Sequence, residues 1–324
     1  MVASPSSGGP ETVGRDGQPA LIGLDWGSAA LRAWLFDADG RVLERRESAA
    51  GVLSVPDGRF REAFETLCAG WIEREPKLPV IACGMIGSRG GWREAGLVRA
   101  PAGRDALAGR LTVVDDLAGR TFRIVPGLVA RGHTGSPDVM HGGETQVFGA
   151  LHGRDALCVV PGTHCRWVEV RDRRIVALRS YMTGEIYALL CRHSALAAAC
   201  GDPDDSPKHQ AEALHAFDVG VDHAAAQPSA LAHQLCAAHS EALLGGLATH
   251  QLPAYLSGLL IGTEVRDATG WCPHDLTPTL VARSILAARY ARAMHRLGVR
   301  GKVADRDSAA TGLFAIARAA DLPG

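Results

Sequence analysis

Two short turns in this sequence carry residue types suited to gripping phosphate. In Asp25-Trp26-Gly27-Ser28 and in Gly162-Thr163 a glycine is followed by a hydroxyl residue, and each turn lies between apolar stretches. A glycine there removes the Cβ obstacle and permits φ > 0, so backbone N–H groups and the Ser28 or Thr163 hydroxyl can close on phosphate oxygens. One such turn is more often an ordinary hairpin. Two of them, 135 residues apart in matching surroundings, could hold a polyphosphate from both sides of a cleft.

Those surroundings predict strands. Residues 21–24, 31–36 and 41–48 read as a three-stranded meander with a turn at Asp39-Gly40. A second meander, at 157–160, 166–170 and 175–180, follows a helix that starts near Glu144. From the leading glycine, the first polar turn residue lies 12 positions on at Asp39 and 10 on at Asp172. The later loop glycine lies 24 on at Gly51 and 22 on at Gly184, so the two units read as copies of one design. Residues 60–74 have helical spacing, 79–83 and 121–125 read as buried strands, and a glycine-rich junction spans 131–143. The remainder predicts helices at 231–249, 254–268, 285–297 and 308–320, with a strand at 278–281. The polar stretch that holds His209, His215 and His223 reads as loop and helix surface.

A chain of 324 residues exceeds one ordinary core. The expected division is a disordered tail over 1–20, rich in Gly, Pro and Ser, then domains at 21–152 and 153–324 of an α/β fold with a cleft between them. Hydrophobic residues make up 47%, charged residues 21%, and the net charge is −1, so no field attracts polyanions. Nucleic acid and membrane are therefore poor partners, whereas a homo-oligomer is compatible with this composition. No apolar run is long enough for a signal peptide or a bilayer span. Eight scattered cysteines without a CxxC pair argue against a disulfide framework and for a reduced cytoplasm. Thirteen histidines show no HExxH or similar clustered spacing that would hold zinc.

Several longer stretches resemble the 2-keto-3-deoxygalactonate kinases, a family of the actin/hexokinase/Hsp70 superfold. They are DWGSAALRAWLFDADG after Leu24, MIGSRGGW after Gly84, PGL after Val125, HGGETQVFGA after Met140, PGTHCRWV after Val160, TGE after Met182, SGLLIGTE after Leu256 and VARSILAARY after Leu280. The resemblance implies a two-domain actin-like ATPase fold with duplicated mixed sheets. It also implies ATP- and Mg²⁺-dependent phosphorylation of the C6 hydroxyl of 2-dehydro-3-deoxy-D-galactonate, in galactonate catabolism.

Phosphoryl transfer requires Mg²⁺ on the phosphates, donors around the transferred group, and a base near the acceptor hydroxyl. On the resemblance, Asp25 takes the Mg²⁺ role, directly or through water, and is the second catalytic residue beside Glu144 of GGETQ, the candidate base. An Asx-turn cap is the other reading of Asp25, and dipole compensation in a first helical turn is that of Glu144. Gly27, Ser28, Gly162, Thr163 and His164 would surround the phosphates. Arg32 would pair with phosphate or a substrate carboxylate, or simply be a solvated strand residue. Ala282, Arg283 and Ser284 occupy the expected adenosine turn. Gly84, Met85, Ser88 and Trp92, with Thr183 and Glu185, would line the sugar site, although Trp92 also suits a core position and Thr183 an N-cap.

Departures fall inside these motifs. Ala29 and Ala30 stand where Thr-Asn is usual, His141 and Gly143 replace an arginine and a carboxylate, Arg283 replaces a glycine, and 305–307 replace a Gly-rich turn. They leave open a non-catalytic sugar-acid or nucleotide sensor, and a hydrolase in which Glu144 activates water.

Overall fold

A computed structural model describes residues 11–12, 17–114, 119–132, 135–200, 206–227, 230–281, 285–304 and 307–322. Its strands run β1 (Glu11–Thr12), β2 (Pro19–Trp26), β3 (Leu31–Asp37), β4 (Val42–Ser48), β5 (Val80–Gly84), β6 (Leu97–Arg99), β7 (Ala102–Gly103) and β8 (Thr112–Val114). They continue as β9 (Phe122–Ile124), β10 (Gly127–Arg131), β11 (Pro137–Met140), β12 (Ala156–Val160), β13 (Cys165–Arg171), β14 (Arg174–Tyr181), β15 (Pro278–Leu280) and β16 (Lys302–Val303). The helices are α1 (Phe60–Arg74), α2 (Arg104–Ala108), α3 (Gly143–Ala150), α4 (Thr183–His193) and α5 (Pro207–Ala226). After them come α6 (Leu231–Leu243), α7 (Leu252–Trp271), α8 (Ile285–Arg296) and α9 (Ser308–Ala319).

The chain packs as two compact units. One contains the described residues of 11–154, 170–177 and 307–322, the other those of 155–169 and 178–304. Residues 170–177 and α9, which a cut at 152/153 assigns to the second half, pack with the first.

In the first unit the sheet order is β1-β4-β3-β2-β5-β9-β8. Strands β2, β3 and β4 form the antiparallel meander, while β5 runs parallel to β2 and β9 parallel to β5. Because β2 is flanked on both edges and covered on both faces, Leu21 to Trp26 is an unbroken buried run. Helix α1 buries Phe60, Phe64, Cys68 and Trp71, one stripe at helical spacing, into the core around Trp26, Leu35 and Phe122.

A second sheet repeats the pattern. Strands follow the order β14-β13-β12-β15-β16, with β15 parallel to β12 and β16 parallel to β15. A meander followed by two parallel strands therefore occurs twice, which is the duplication an actin-like fold implies. Helix α7 is buried on nearly every side, which suits the apolar run 256–262 that forms its middle.

Each unit also has a helix crossing built on glycine. A Cβ at Gly149 of α3 would lie 1.8 Å from the Ser308 carbonyl oxygen, and one at Gly312 of α9 would lie 1.9 Å from that of Thr145. Between α5 and α7, a Cβ at Gly258 would lie 2.0 Å from the Phe217 carbonyl oxygen, and one at Gly220 would lie 2.3 Å from that of Tyr255. Backbone meets backbone at both crossings.

Four expectations change. Residues Glu11 and Thr12, within the expected tail, pair with Arg45 and Glu44 of β4. The junction at 131–143 contains β11, which pairs with β10. The predicted helix at 231–249 stops at Leu243, because the chain turns at Gly245 with φ of 79°. The polar stretch around His209 is the 20-residue helix α5, capped by the Ser206 side chain with Pro207 in its first turn.

Glu264 of α7 organises the second unit's interior. It accepts hydrogen bonds from Trp167 Nε1 of β13 (2.8 Å), Tyr290 Oη of α8 (2.6 Å) and Thr183 Oγ1 of α4. Burial pushes its carboxyl above the usual 4.5, against the pull of these donors.

Two stability predictions follow from this packing. Gly149→Ala or Gly312→Ala forces backbone apart and should cost about 1–3 kcal/mol or more, read as a lower midpoint in denaturant unfolding. Glu264→Ala strands three buried donors and should cost at least about 3 kcal/mol. Since the folded-state pKa of Glu264 is raised, wild-type stability should fall as pH rises from 4.5 through that higher value. Glu264→Gln should lack that component when melting temperature is followed against pH.

Candidate active site

The carboxyl end of β2 brings three of the sequence motifs together. Asp25 faces Arg32 across the β2–β3 ladder, and the two form an ion pair. Gln146 of α3 donates from Nε2 to Asp25 Oδ2 at 3.3 Å. On the other side of β2, Asp25 and Trp26 pair with Cys83 and Gly84 of β5.

Gly84 has φ of 103°, and a Cβ there would lie 2.5 Å from the Trp26 carbonyl oxygen. Gly142, the N-cap of α3, has φ of 89°; its Cβ would lie 2.8 Å from Gly84 Cα and 3.9 Å from Asp25 Oδ1. At Gly84 and Gly142, both with positive φ, the backbone can approach the Asp25 carboxylate only without side chains. The glycines first assigned that freedom, Gly27 and Gly162, have no positive φ. Added Cβ atoms would meet their nearest neighbours at 3.6 and 3.4 Å.

Asp25 is 5% exposed and lies within its strand, so it caps no Asx turn. Burial raises its carboxyl above the usual 3.8, Arg32 pulls it down, and the charge of Asp307 adds to the rise. Asp307 accepts from Trp34 Nε1 at 3.0 Å and caps α9 through the Ala310 N–H. Arg32 and Trp34, alternate residues of β3, share a face, with the guanidinium 5.6 Å from the indole centroid. Arg32 is thus ion-paired with Asp25 and partly exposed.

Glu144 is completely buried near the start of α3. Its Oε1 accepts from the Gly142 N–H at 2.7 Å and faces Thr145 Oγ1 at 3.5 Å. Burial, then the charges of Asp25 and Glu144, push the Cys83 thiol well above its usual value.

The Gly27–Ala30 turn is closed by Gly27 N–H to the Ala30 oxygen at 2.9 Å. Val52 and Leu53 N–H groups brace it by bonding the Gly27 and Ser28 oxygens at 2.9 and 3.1 Å. Past Gly84, Met85 enters a single 3₁₀ turn, and Ser88 Oγ donates to the Met85 oxygen at 2.7 Å. Trp92 packs 5.0 Å from Phe122 and 6.4 Å from both Trp26 and Phe60, centroid to centroid, so it is a partly buried aromatic laid against the core.

In the second unit, the Gly162–His164 turn lies against the start of α4. Glu185 N–H donates to the Thr163 oxygen at 2.9 Å, and His164 Nε2 lies 2.5 Å from Glu185 Oε2. Gly184 is required there, since its Cβ would lie 2.5 Å from the Gly162 oxygen. Thr183 is the first residue of α4 rather than its N-cap, and its hydroxyl points to buried Glu264. Ala282, Arg283 and Ser284 lie outside the described residues.

Gln146 and Asp307 were absent from the sequence-based set. Gln146 follows Glu144 within GGETQ, and Asp307 precedes an apolar helical run as an N-cap would; those were the available signals.

Residues 25–316 match the model of the family described as 2-keto-3-deoxy-galactonokinase. A 2-dehydro-3-deoxygalactonokinase of Escherichia coli (strain K12) is 37% identical over 278 residues, 86% of this chain and 90% of that protein. A probable 2-dehydro-3-deoxygalactonokinase of Rhizobium meliloti (strain 1021) is 35% identical over 300 residues, 91% and 96% of the two chains. A crystal structure of a Sinorhizobium meliloti protein proposed to have the same activity superimposes with a TM-score of 0.80 at 35% identity. That match covers 92% of this chain and 98% of the other. The chain belongs to the 2-keto-3-deoxy-galactonokinase family.

Proposed function

We propose that this phosphotransferase moves the γ-phosphoryl group of ATP to the C6 hydroxyl of 2-dehydro-3-deoxygalactonate, with Asp25 at the centre of the site. The observation that carries this reading is the meeting of Asp25, Gly84 and Gly142 beside the Arg32 and Gln146 contacts. Gly27 and Ser28 in the first unit, and Gly162, Thr163 and His164 in the second, are the proposed phosphate-binding turns. In the first unit Gly84, Met85 and Ser88 are proposed to face the sugar acid, with Trp92 packed partly buried against that unit's core; in the second unit Thr183 binds buried Glu264, and Glu185 lies against the proposed phosphate turn through His164. The family name supports the substrate, and the absence of any described helix able to cross a membrane is compatible with a cytoplasmic enzyme.

Asp25 would supply a hard oxygen donor that suits Mg²⁺, with no Cβ at Gly142 to crowd its Oδ1 and the charge of Asp307 adding to the negative potential there. When bound, Mg²⁺ supplies charge neutralisation on the phosphates. Arg32 and Gln146 orient the Asp25 carboxylate, so ordering it costs nothing at the moment of reaction.

Glu144 is proposed as the base that takes the acceptor proton. A second reading comes from its enclosure: with Oε1 held by the Gly142 N–H, Glu144 would instead fix the glycine turn and leave proton removal to Asp25.

ADP release coupled to NADH oxidation, measured with Mg-ATP and the sugar acid, tests the reaction. Turnover should require the acid; ADP formed at the same rate without it would indicate hydrolysis and defeat the proposal. Glu144→Gln keeps an oxygen for the Gly142 N–H but has no base, and should lower kcat about 10²- to 10⁴-fold with little change in KM for ATP. Wild-type kcat in that variant would select the second reading. Asp25→Asn should lower kcat at least about 10²-fold and raise the Mg²⁺ concentration needed for half-maximal rate.

A further inference from the structure

A second group of potential ligands lies in the second unit, on residues that take no part in the proposed phosphoryl transfer. His209 and Glu212 stand three residues apart in the first turns of α5, so both project from one face of that helix. His250 comes from the turn that precedes α7. Its Nε2 is 2.7 Å from Glu212 Oε2, and its ring lies tilted against that of His209 with centroids 4.2 Å apart. One ligand atom from each of the three residues lies within 4.8 Å of the other two. His250 and Glu212 side chains are 19% and 33% exposed, enclosed enough to be held and open enough for an ion to enter.

We propose that His209, Glu212 and His250 form a binding site for a borderline transition-metal ion, Zn²⁺ in the first instance. Two imidazoles and one carboxylate are the donor set of a three-ligand zinc site that leaves a fourth position for water. Imidazole nitrogen disfavours Mg²⁺ and Ca²⁺, which separates this site from the oxygen donors around Asp25. The two imidazole rings lie close together and inclined to each other by 36°, and a shared metal would take one nitrogen from each. Lys208 Nζ, 3.8 Å from Glu212 Oε1, approaches the carboxylate oxygen that His250 does not use. A bound ion would join the start of α5 to the turn before α7, at one end of the glycine-built crossing of those two helices. Because His250 is 38 residues from Glu212, no linear motif announces the site.

The test uses the full chain without a polyhistidine tag, stripped with chelator and dialysed against Zn²⁺, with bound metal measured by inductively coupled plasma mass spectrometry. About one equivalent should bind, and His209→Ala, His250→Ala and Glu212→Gln should each weaken binding at least about 10-fold. Co²⁺ in place of Zn²⁺ should give the visible absorption of a four-coordinate ion in the wild type and lose it in each variant. The Mg²⁺-dependent kinase rate shows that each variant is folded, and Glu212→Gln, the most conservative change, decides if an alanine variant is not. No bound Zn²⁺, or binding that survives in the folded variants, overturns the proposal.

Discussion

A carboxylate taken out of water at the end of a central strand has to be held by donors, and the neighbourhood of Asp25 is organised around that need. Arg32 comes from the next strand, where the ladder register places it directly opposite. Gln146 comes from α3, which reaches Asp25 only because Gly142 and Gly84 have no side chains between them. Helix α3 is in turn pressed onto α9 through Gly149 and Gly312, and α9 carries Asp307 at its N-cap. The acidic groups of the proposed Mg²⁺ site thus depend on strand register and on one helix crossing, and not on the loop that first drew notice.

The same design logic recurs in the second unit with different chemistry. There the glycine-built crossing joins α5 and α7, and the buried carboxylate of Glu264 gathers Trp167, Thr183 and Tyr290. Neutral donors hold it, and its carboxyl rises with burial. One duplicated framework therefore carries an ion-paired acid in the first unit and a hydrogen-bonded core acid in the second.

Much of this framework was legible in the sequence because its signals are local. The run 21–26, the alternation in 31–36 and the stripe Phe60, Phe64, Trp71 each decide an element within a few residues. Helix α5 escaped because polar composition outweighed the Ser206-Pro207 start signal. Asp25, Arg32, Gly84 and Glu144, all legible within motifs, lie around the end of β2 and the start of α3. Gln146 and Asp307 were not legible in this way, since their partners Asp25 and Trp34 lie 121 and 273 residues away. Hairpin turns 27–30 and 162–164 are built without positive φ, while Gly84 and Gly142 take the positive φ that lets backbone approach the carboxylate without side chains.

The most direct test of the central claim is the identity of the product, followed by ³¹P and ¹³C nuclear magnetic resonance during turnover of the full chain with Mg-ATP and 2-dehydro-3-deoxygalactonate. The account predicts a phosphomonoester whose phosphorus couples to C6 of the sugar acid, formed in equal amount with ADP. Inorganic phosphate as the only new phosphorus species, or a phosphoryl group on another carbon, would contradict it.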